Sequence, residues 1–259
     1  MRRPIALVHG AWVTAASWDA FRRPFEAAGH AVHTPTWPLL EGLAADQIVA
    51  RPPAGFGSLG IEMIAGHLAR SIGALVPSPV LIGHSFGGLL VQMLLDRGLG
   101  CAGIAFNPVP IGGIVPGPTA IAAIAPIVLR PRGWARPYTF TRDRWARRFA
   151  NAAPRSLADA AYDSYVIPAP GRIFYQAALG LGTWIDAARR SAPLLITGSD
   201  RDRLVTPYLS RAAWRLQRRS PAQTDYLDLP GRSHFLLAEP GWEQIAARAL
   251  KWVEEAVHD

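Results

Sequence analysis

The stretch from Pro79 to Leu95 constrains the fold more than any other part of the chain. An apolar run before residue 83 and a second one after residue 88 predict a strand, a tight turn and a helix. The turn itself, Gly83–Gly87, reads Gly-His-Ser-Phe-Gly and fits the pattern Gly-x-Ser-x-Gly. Glycines are required where a strand reverses directly into a helix, because side chains there would collide. We therefore predict that Ser85 is pushed into the open in a strained backbone conformation, at the positive end of the helix.

Composition limits the classes of protein to consider. The 259 residues, half of them apolar, are enough to bury one substantial core with a small appended lid. The single cysteine, Cys101, excludes an internal disulfide and lies in no context typical of a nucleophile. The formal net charge of +8 is nearly all arginine, and no nucleic-acid motif accompanies it. We interpret the charge as a property of the composition and expect no nucleic-acid partner.

The uncharged, apolar stretch Ile111–Leu129 raises the question of a membrane span. Three prolines interrupt it at positions 116, 118 and 126, and two glycines loosen its start. We therefore expect no membrane span. The expectation is a cytoplasmic monomer or homodimer that acts on a small molecule.

Strand and helix patterns alternate through the first 107 residues, which predicts a parallel sheet wrapped by helices. Ser17 is expected to cap the first helix, and Pro35–Gly60 is expected to be a long irregular loop of the kind that often serves as a lid. Ligands of such sheets bind outside the carboxyl ends of the strands. The residues that follow predicted strand ends are His9, Ser85 and Asn107.

The alternation lapses between residues 108 and 190, and strand patterns return at Leu194–Thr197 and Thr224–Leu229. We interpret 108–190 as a helical cap or lid inserted into a core formed by 1–107 and 191–259. The fold class is therefore α/β, with a mostly parallel central sheet.

Residues suited to activate Ser85 follow the last two predicted strands. A serine hydroxyl needs a base at hydrogen-bond distance, and that base needs a third group to orient it. His234 lies in a turn just before the final helix and is the natural base. Two carboxylates, Asp200 and Asp202, follow the strand at Leu194–Thr197; we favour Asp202 as the acid and keep Asp200 as the alternative.

A metal site is not expected. His30 and His33 are three residues apart, but no companion ligands follow them, and surface or packing roles account for both. No cofactor motif is present either.

These features together resemble the α/β-hydrolase superfamily, and the resemblance covers essentially the whole chain. It rests on His9-Gly10-Ala11-Trp12 after the first strand, the Gly83–Gly87 turn, Asp202 before Leu204-Val205, and the segment from Pro230 to His234. The chain is further similar to a bacterial subgroup of largely uncharacterised members. The resemblance implies that the backbone N–H groups of Ala11 and Phe86 form an oxyanion hole. In some members the acid follows the strand after the nucleophile helix, where this chain has Asn107, so the acid has to come from the 200–202 turn.

A serine in the Gly83–Gly87 turn favours acyl chemistry, whereas epoxide hydrolases and dehalogenases of this fold use an aspartate at this position. We expect hydrolysis of an ester, thioester or lactone that is at least partly apolar. Candidate substrate-binding residues are Trp12, His84, Asn107 and Phe235. Two alternatives stay open: the same triad in acyl transfer, cyclisation, elimination or lyase chemistry, and a noncatalytic ligand-binding protein.

Overall fold

A computed structural model describes residues 2–257 and contains one six-stranded sheet. The strands are β1 (Ile5–Val8), β2 (Val32–His33), β3 (Val80–His84), β4 (Ala102–Phe106), β5 (Leu194–Ser199) and β6 (Thr224–Leu229). The helices are α1 (Asp19–Ala27), α2 (Ala45–Ala50), α3 (Ile61–Gly73), α4 (Phe86–Asp96), α5 (Pro118–Val128), α6 (Arg142–Arg148), α7 (Arg155–Tyr165), α8 (Gly171–Leu179), α9 (Pro207–Gln217) and α10 (Trp242–Ala256).

Every strand pair in the sheet is parallel, in the order β2-β1-β3-β4-β5-β6. The central strands β1, β3 and β4 are buried along their whole length, as expected for apolar runs covered by helices on both faces. Val8 of β1 pairs with Gly83 of β3, and Phe106 of β4 pairs with Thr197 of β5. The carboxyl ends of β1, β3, β4 and β5 therefore lie along one edge of the sheet. The predicted α/β fold is confirmed.

Two buried apolar clusters fill the space between the sheet and the helices. One joins α1 and α10, through Phe21, Phe25 and Ile245, to one face of the sheet. The other joins α3 and α4 to the opposite face and continues into α5 and α8. The helices after β4 therefore share a core with the helices beside Ser85.

Two local predictions were wrong. Ser17 does not cap α1: it lies in a 3₁₀ turn, Ala15–Trp18, and its hydroxyl donates to the carbonyl of Thr14 at 2.8 Å. The region 35–60 is not wholly irregular, because it contains α2 and a 3₁₀ turn at Phe56–Ser58. Ile48 and Phe56 are buried, which explains why these short elements form despite the surrounding prolines and glycines.

Helices α5 to α8 lie between β4 and β5, in the segment expected to form the cap. Just after α5, the carbonyl of Gly133 lies beside Gly171, the first residue of α8. Gly112, before α5, lies next to Gly180, after α8. The two helices therefore run in opposite directions. Within residues 2–257, no helix is both long enough and apolar enough to cross a membrane.

Candidate active site

Ser85 stands between β3 and α4 with backbone angles of φ 59° and ψ −121°, a conformation that is costly for a residue with a side chain. The flanking glycines explain how the chain accommodates it. A Cβ at Gly83 would collide with the carbonyl of Gly87, and a Cβ at Gly87 would collide with the carbonyl of Val8. The Ser85 N–H donates to the carbonyl of Phe106 at 2.9 Å, which anchors the turn to the neighbouring strand.

The side chain of Ser85 is less open than expected. Ser85 is only 3% exposed, since Phe174 of α8 and Ala123 of α5 line the cavity in which it lies. The strained turn projects the serine beyond the sheet, and the helices after β4 then cover it.

His234 and Asp202 are brought together at the same edge of the sheet. Nδ1 of His234 lies 2.6 Å from Oδ2 of Asp202, and both side chains are fully buried. The other carboxylate oxygen, Oδ1, accepts hydrogen bonds from the N–H groups of Leu204 and Val205, each at 2.8 Å. The aspartate is thus held in one orientation, and the Nδ1–H tautomer of His234 is the one that satisfies it.

Asp200, the alternative acid, lies elsewhere. Its side chain is exposed and accepts a hydrogen bond from the N–H of Gly231 at 2.6 Å. It ties the β5–α9 loop to the turn before His234 and does not contact the imidazole. The geometry therefore favours Asp202.

Asn107, which was expected to bind substrate, contacts Asp202 and is not among the residues that line the cavity. Its Nδ2 donates to Oδ2 of Asp202 at 2.7 Å, and its Oδ1 accepts from the hydroxyls of Thr197 and Ser199, each at 3.2 Å. The carboxylate only accepts, so the amide has one orientation, with its N–H₂ toward Asp202 and its Oδ1 toward the two hydroxyls. Asn107 occupies a left-handed conformation, φ 42°, just after β4.

The loop after β1 lies directly against Ser85. A Cβ on Gly10 would stand 2.9 Å from Cβ of Ser85, so only glycine fits this approach. Within residues 2–257, the N–H groups of Ala11 and Phe86 donate to no protein acceptor. Both N–H groups thus remain available to a ligand beside Ser85.

Trp12 links this loop to the helices above it. Its backbone is left-handed, φ 67°, and its indole N–H donates to the carbonyl of Tyr138 at 3.1 Å. The ring stacks on Phe174 with a centroid distance of 4.6 Å, and the Trp12 carbonyl accepts from the N–H of Ile167 at 2.9 Å. The loop that presents the Ala11 N–H is therefore fixed by the segment between β4 and β5.

His84 and Phe235, which were expected to bind substrate, pack behind His234 and are not among the residues that line the cavity beside Ser85. The His84 ring lies 4.6 Å from the His234 ring, and Phe149 meets His234 edge-on at 4.7 Å. Phe235 packs against Trp145. Burial lowers the pKa of His84 well below its usual value, and the neighbouring His234 lowers it further. His84 is therefore neutral at physiological pH and adds no charge beside His234.

A buried glutamate, Glu239, holds the turn that carries His234, and the sequence analysis missed it. It accepts hydrogen bonds from the N–H of Ser233 at 3.0 Å and from the Ser233 hydroxyl at 2.7 Å. Burial raises the pKa of Glu239, while these two hydrogen bonds oppose the rise. A charged residue five positions after His234, among apolar ones, was the available signal.

The cavity beside Ser85 has a volume of about 70 Å³, and its described lining is apolar apart from Ser85 and His234. Trp12, one of the candidate substrate-binding residues, lines it together with Phe86. The other lining residues come from three places. They are Val109, Pro110, Pro116, Ala120, Ala123 and Ile124 around α5, Phe174, Ala177 and Ala178 on α8, and Leu204, Val205 and Leu209 near α9.

A match to a family model decides the family. Residues 5–248 match the model described as Alpha/beta hydrolase family. The chain belongs to this family. A search among curated proteins finds no match.

Solved structures resemble this α/β-hydrolase over nearly its whole length. A pyrethroid hydrolase from Sphingobium faniae JZ-2 has a TM-score of 0.71 at 19% identity, over 96% of each chain. A methylesterase from Arabidopsis has a TM-score of 0.70 at 17% identity, over 97% of this chain and 99% of that one. A monoacylglycerol lipase from Paleococcus ferrophilus has a TM-score of 0.72 at 18% identity, over 98% of this chain and 96% of that one. At these identities the likeness establishes the fold.

Proposed function

We propose that this α/β-hydrolase is a serine-dependent hydrolase of uncharged, largely apolar carboxylic esters, thioesters or lactones. Ser85 is the nucleophile, His234 the general base and Asp202 the acid that orients it. The observation that carries the proposal is the 2.6 Å contact between His234 and Asp202 beside the cavity that holds Ser85.

His234 is prepared to act as the base. Its Nδ1–H is committed to Asp202, and within residues 2–257 its Nε2 has no hydrogen-bond partner although it is buried. His234 and Ser85 line the same cavity, so substrate binding brings the hydroxyl, the base and the ester carbonyl together. His234 takes the hydroxyl proton as Oγ bonds to the carbonyl carbon, and Asp202 stabilises the imidazolium that results.

The tetrahedral oxyanion needs donors that are already in position. The free N–H groups of Ala11 and Phe86 are suited to this, and Phe86 is also the first residue of α4, whose N-terminus favours negative charge. One such donor is typically worth about 3 to 4 kcal/mol in the transition state. The intermediate collapses as the imidazolium gives its proton to the leaving alcohol. Water, deprotonated by His234, then hydrolyses the acyl-enzyme and releases the acid.

The lining of the cavity defines the substrate class. A charged group would lose its hydration without gaining a partner there, so an uncharged ester is favoured. The similar structures support ester chemistry, since they are named as a pyrethroid hydrolase, a methylesterase and a monoacylglycerol lipase. In this proposal residues 108–190 act as the cap that shields the acyl-enzyme.

Intact mass after incubation with a fluorophosphonate probe tests the nucleophile. We expect wild type to gain one phosphonyl adduct, and Ser85→Ala and His234→Ala to gain none. Ser17→Ala, at a serine outside the cavity, is the matched control and is expected to label like wild type. A p-nitrophenyl ester series measured on the same proteins links labelling to turnover.

Other outcomes would redirect the assignment. Turnover that survives Ser85→Ala would indicate base-only chemistry at His234, and transfer of the acyl group to an added alcohol in preference to water would indicate a transferase. Absence of both labelling and turnover in folded wild type would overturn the hydrolase and favour a binding protein.

A further inference from the structure

Positive charge is concentrated in the segment between β4 and β5. Residues 108–190 carry eleven arginines and four aspartates, with no lysine or glutamate, so they hold a net charge of +7 out of +8 for the whole chain. No acidic residue stands between Asp96 and Asp143. A surface dominated by one sign of charge attracts a partner of the opposite sign.

Large apolar side chains are exposed on the same segment. Among residues 2–257, seven of the thirteen exposed large hydrophobic side chains lie within 108–190. Both exposed tryptophans of the described chain, Trp134 and Trp184, are among them. The proposed catalytic site uses neither tryptophan, so both side chains are free to make another contact.

The two features meet in residues 129–136, here named the docking turn, which read Leu-Arg-Pro-Arg-Gly-Trp-Ala-Arg. Leu129 is 81% exposed and Trp134 is 50% exposed. Arg132 and Arg136 are exposed as well, and in the described part of the chain neither has a carboxylate partner. Other arginines of the segment are ion-paired with aspartates: Arg142, Arg147 and Arg155.

The docking turn is held in shape by its own hydrogen bonds. The N–H of Gly133 donates to the carbonyl of Arg130 at 2.9 Å, and the N–H of Ala135 donates to that of Arg132 at 3.0 Å. The Trp134 ring meets Tyr175 of α8 edge-on at 6.1 Å. Its side chains are thus displayed on a formed scaffold, which lowers the ordering cost of a contact.

We propose that this face docks onto an anionic lipid surface through the docking turn. Trp134 and Leu129 enter the headgroup region, where tryptophan is favoured, and Arg132 and Arg136 pair with lipid phosphates. Nucleic acid would pair the arginines but leave Leu129 without an apolar partner, which a bilayer supplies. The docking turn follows α5, which lines the cavity, so docking brings the site to a surface where apolar esters concentrate. The docking itself does not depend on the proposed hydrolysis.

Vesicle co-sedimentation of the full chain tests the proposal. We compare phosphatidylcholine vesicles with vesicles of equal parts phosphatidylcholine and phosphatidylglycerol, at low and high salt. Wild type is expected to bind the anionic vesicles, and salt is expected to weaken the binding. Arg132→Glu/Arg136→Glu is expected to reduce the partition coefficient at least about tenfold, and Trp134→Ala is expected to reduce it severalfold. Quenching of tryptophan fluorescence by lipids brominated on their chains is expected to fall in Trp134→Phe.

The matched control is Arg215→Glu/Arg219→Glu, which changes the net charge by the same amount near the opposite end of the strands, on and just after α9. It is expected to retain most of the binding. An equal loss in both double variants would overturn the proposal, because net charge alone would then explain the binding. Absence of vesicle binding by wild type, with a dimer in light scattering that Trp134→Ala converts to monomer, would overturn it in favour of a second copy of the chain.

Discussion

The side-chain amide of Asn107 donates a 2.7 Å hydrogen bond to Oδ2 of Asp202, the same oxygen that lies 2.6 Å from Nδ1 of His234. With the two backbone donors on Oδ1, this carboxylate is fully engaged by fixed groups. Asn107 is therefore a positioning residue in the proposed mechanism. We expect Asn107 to affect catalysis separately from thermal stability, because it donates to the carboxylate oxygen that contacts His234.

Asn107→Ala is expected to lower kcat/KM by about tenfold to a hundredfold, the effect of losing one hydrogen bond to a charged group. Asn107→Asp replaces the donor by a second carboxylate, and two carboxylates at this distance share one proton. The variant is expected to show a descending limb at higher pH, where that proton is lost, that wild type lacks. Full pH–rate profiles measure this. A purely structural role predicts lower thermal midpoints with an unchanged profile, and that result would contradict ours.

Asp202 and Asp200 offer a matched pair of substitutions on one loop. Asp202→Asn removes the charge that stabilises the imidazolium and the acceptor that fixes its tautomer, so kcat is expected to fall by roughly 10⁴. Asp200→Asn alters only the contact to Gly231 and is expected to stay within about twofold of wild type in kcat. Steady-state turnover of a p-nitrophenyl ester measures both. Comparable losses in the two variants would show that the loop, and not the Asp202 charge, is what matters.

The parts of the site that follow strand ends could be predicted from the sequence. Apolar runs mark β1, β3 and β5, and parallel strands bring the residues after them to one edge, so the sequence predicts that Ser85 and Asp202 lie at that edge. Asn107 was identified, but its contact was not, because that contact depends on the register between β4 and β5.

The residues of α5 and α8 that line the cavity could not be identified from the sequence, for a different reason. Their identity depends on how α5 and α8 fold over the sheet, and the 3.6-residue period of a helix does not say which neighbour its apolar face meets. Helix α2 could not be predicted either. The surrounding prolines and glycines favour a loop, and the burial of Ile48, which stabilises the helix, depends on tertiary packing.

His9 makes stability depend on pH. Its Nδ1 lies 2.9 Å from the carbonyl of Gly10 and its Nε2 lies 3.3 Å from the backbone nitrogen of Trp37, which donates to it, so both ring nitrogens are engaged by the neutral form. Burial lowers the pKa of His9 to about 4. Between pH 6.5 and about 4, His9 is protonated in the unfolded chain but stays neutral in the folded chain. The free energy of unfolding therefore falls as pH falls through this window, by about 3 kcal/mol for this residue.

Urea unfolding of wild type and His9→Gln between pH 4 and pH 7 measures this contribution. His9→Gln is expected to be less stable than wild type near pH 7, where it loses the fitted imidazole, but to lose less stability on acidification. The buried His84 also lowers stability in acid, but it is present in both wild type and His9→Gln, so its effect cancels in the difference between their unfolding free energies. Parallel curves for the two proteins would show that His9 does not titrate in this window.

The packing of α5 over Ser85 predicts that Ala123 limits the length of the substrate. Ala123 is buried and lines the cavity, whereas its neighbour Ala122 is exposed on the outer side of the same helix. Ala123→Leu fills part of a cavity of about 70 Å³, so kcat/KM for medium-chain p-nitrophenyl esters is expected to fall at least about tenfold while the acetate ester is nearly unaffected. Ala122→Leu adds the same atoms to the same helix outside the cavity and is expected to leave the chain-length profile unchanged. If both variants shift the profile equally, displacement of α5 and not occupancy of the cavity controls substrate length.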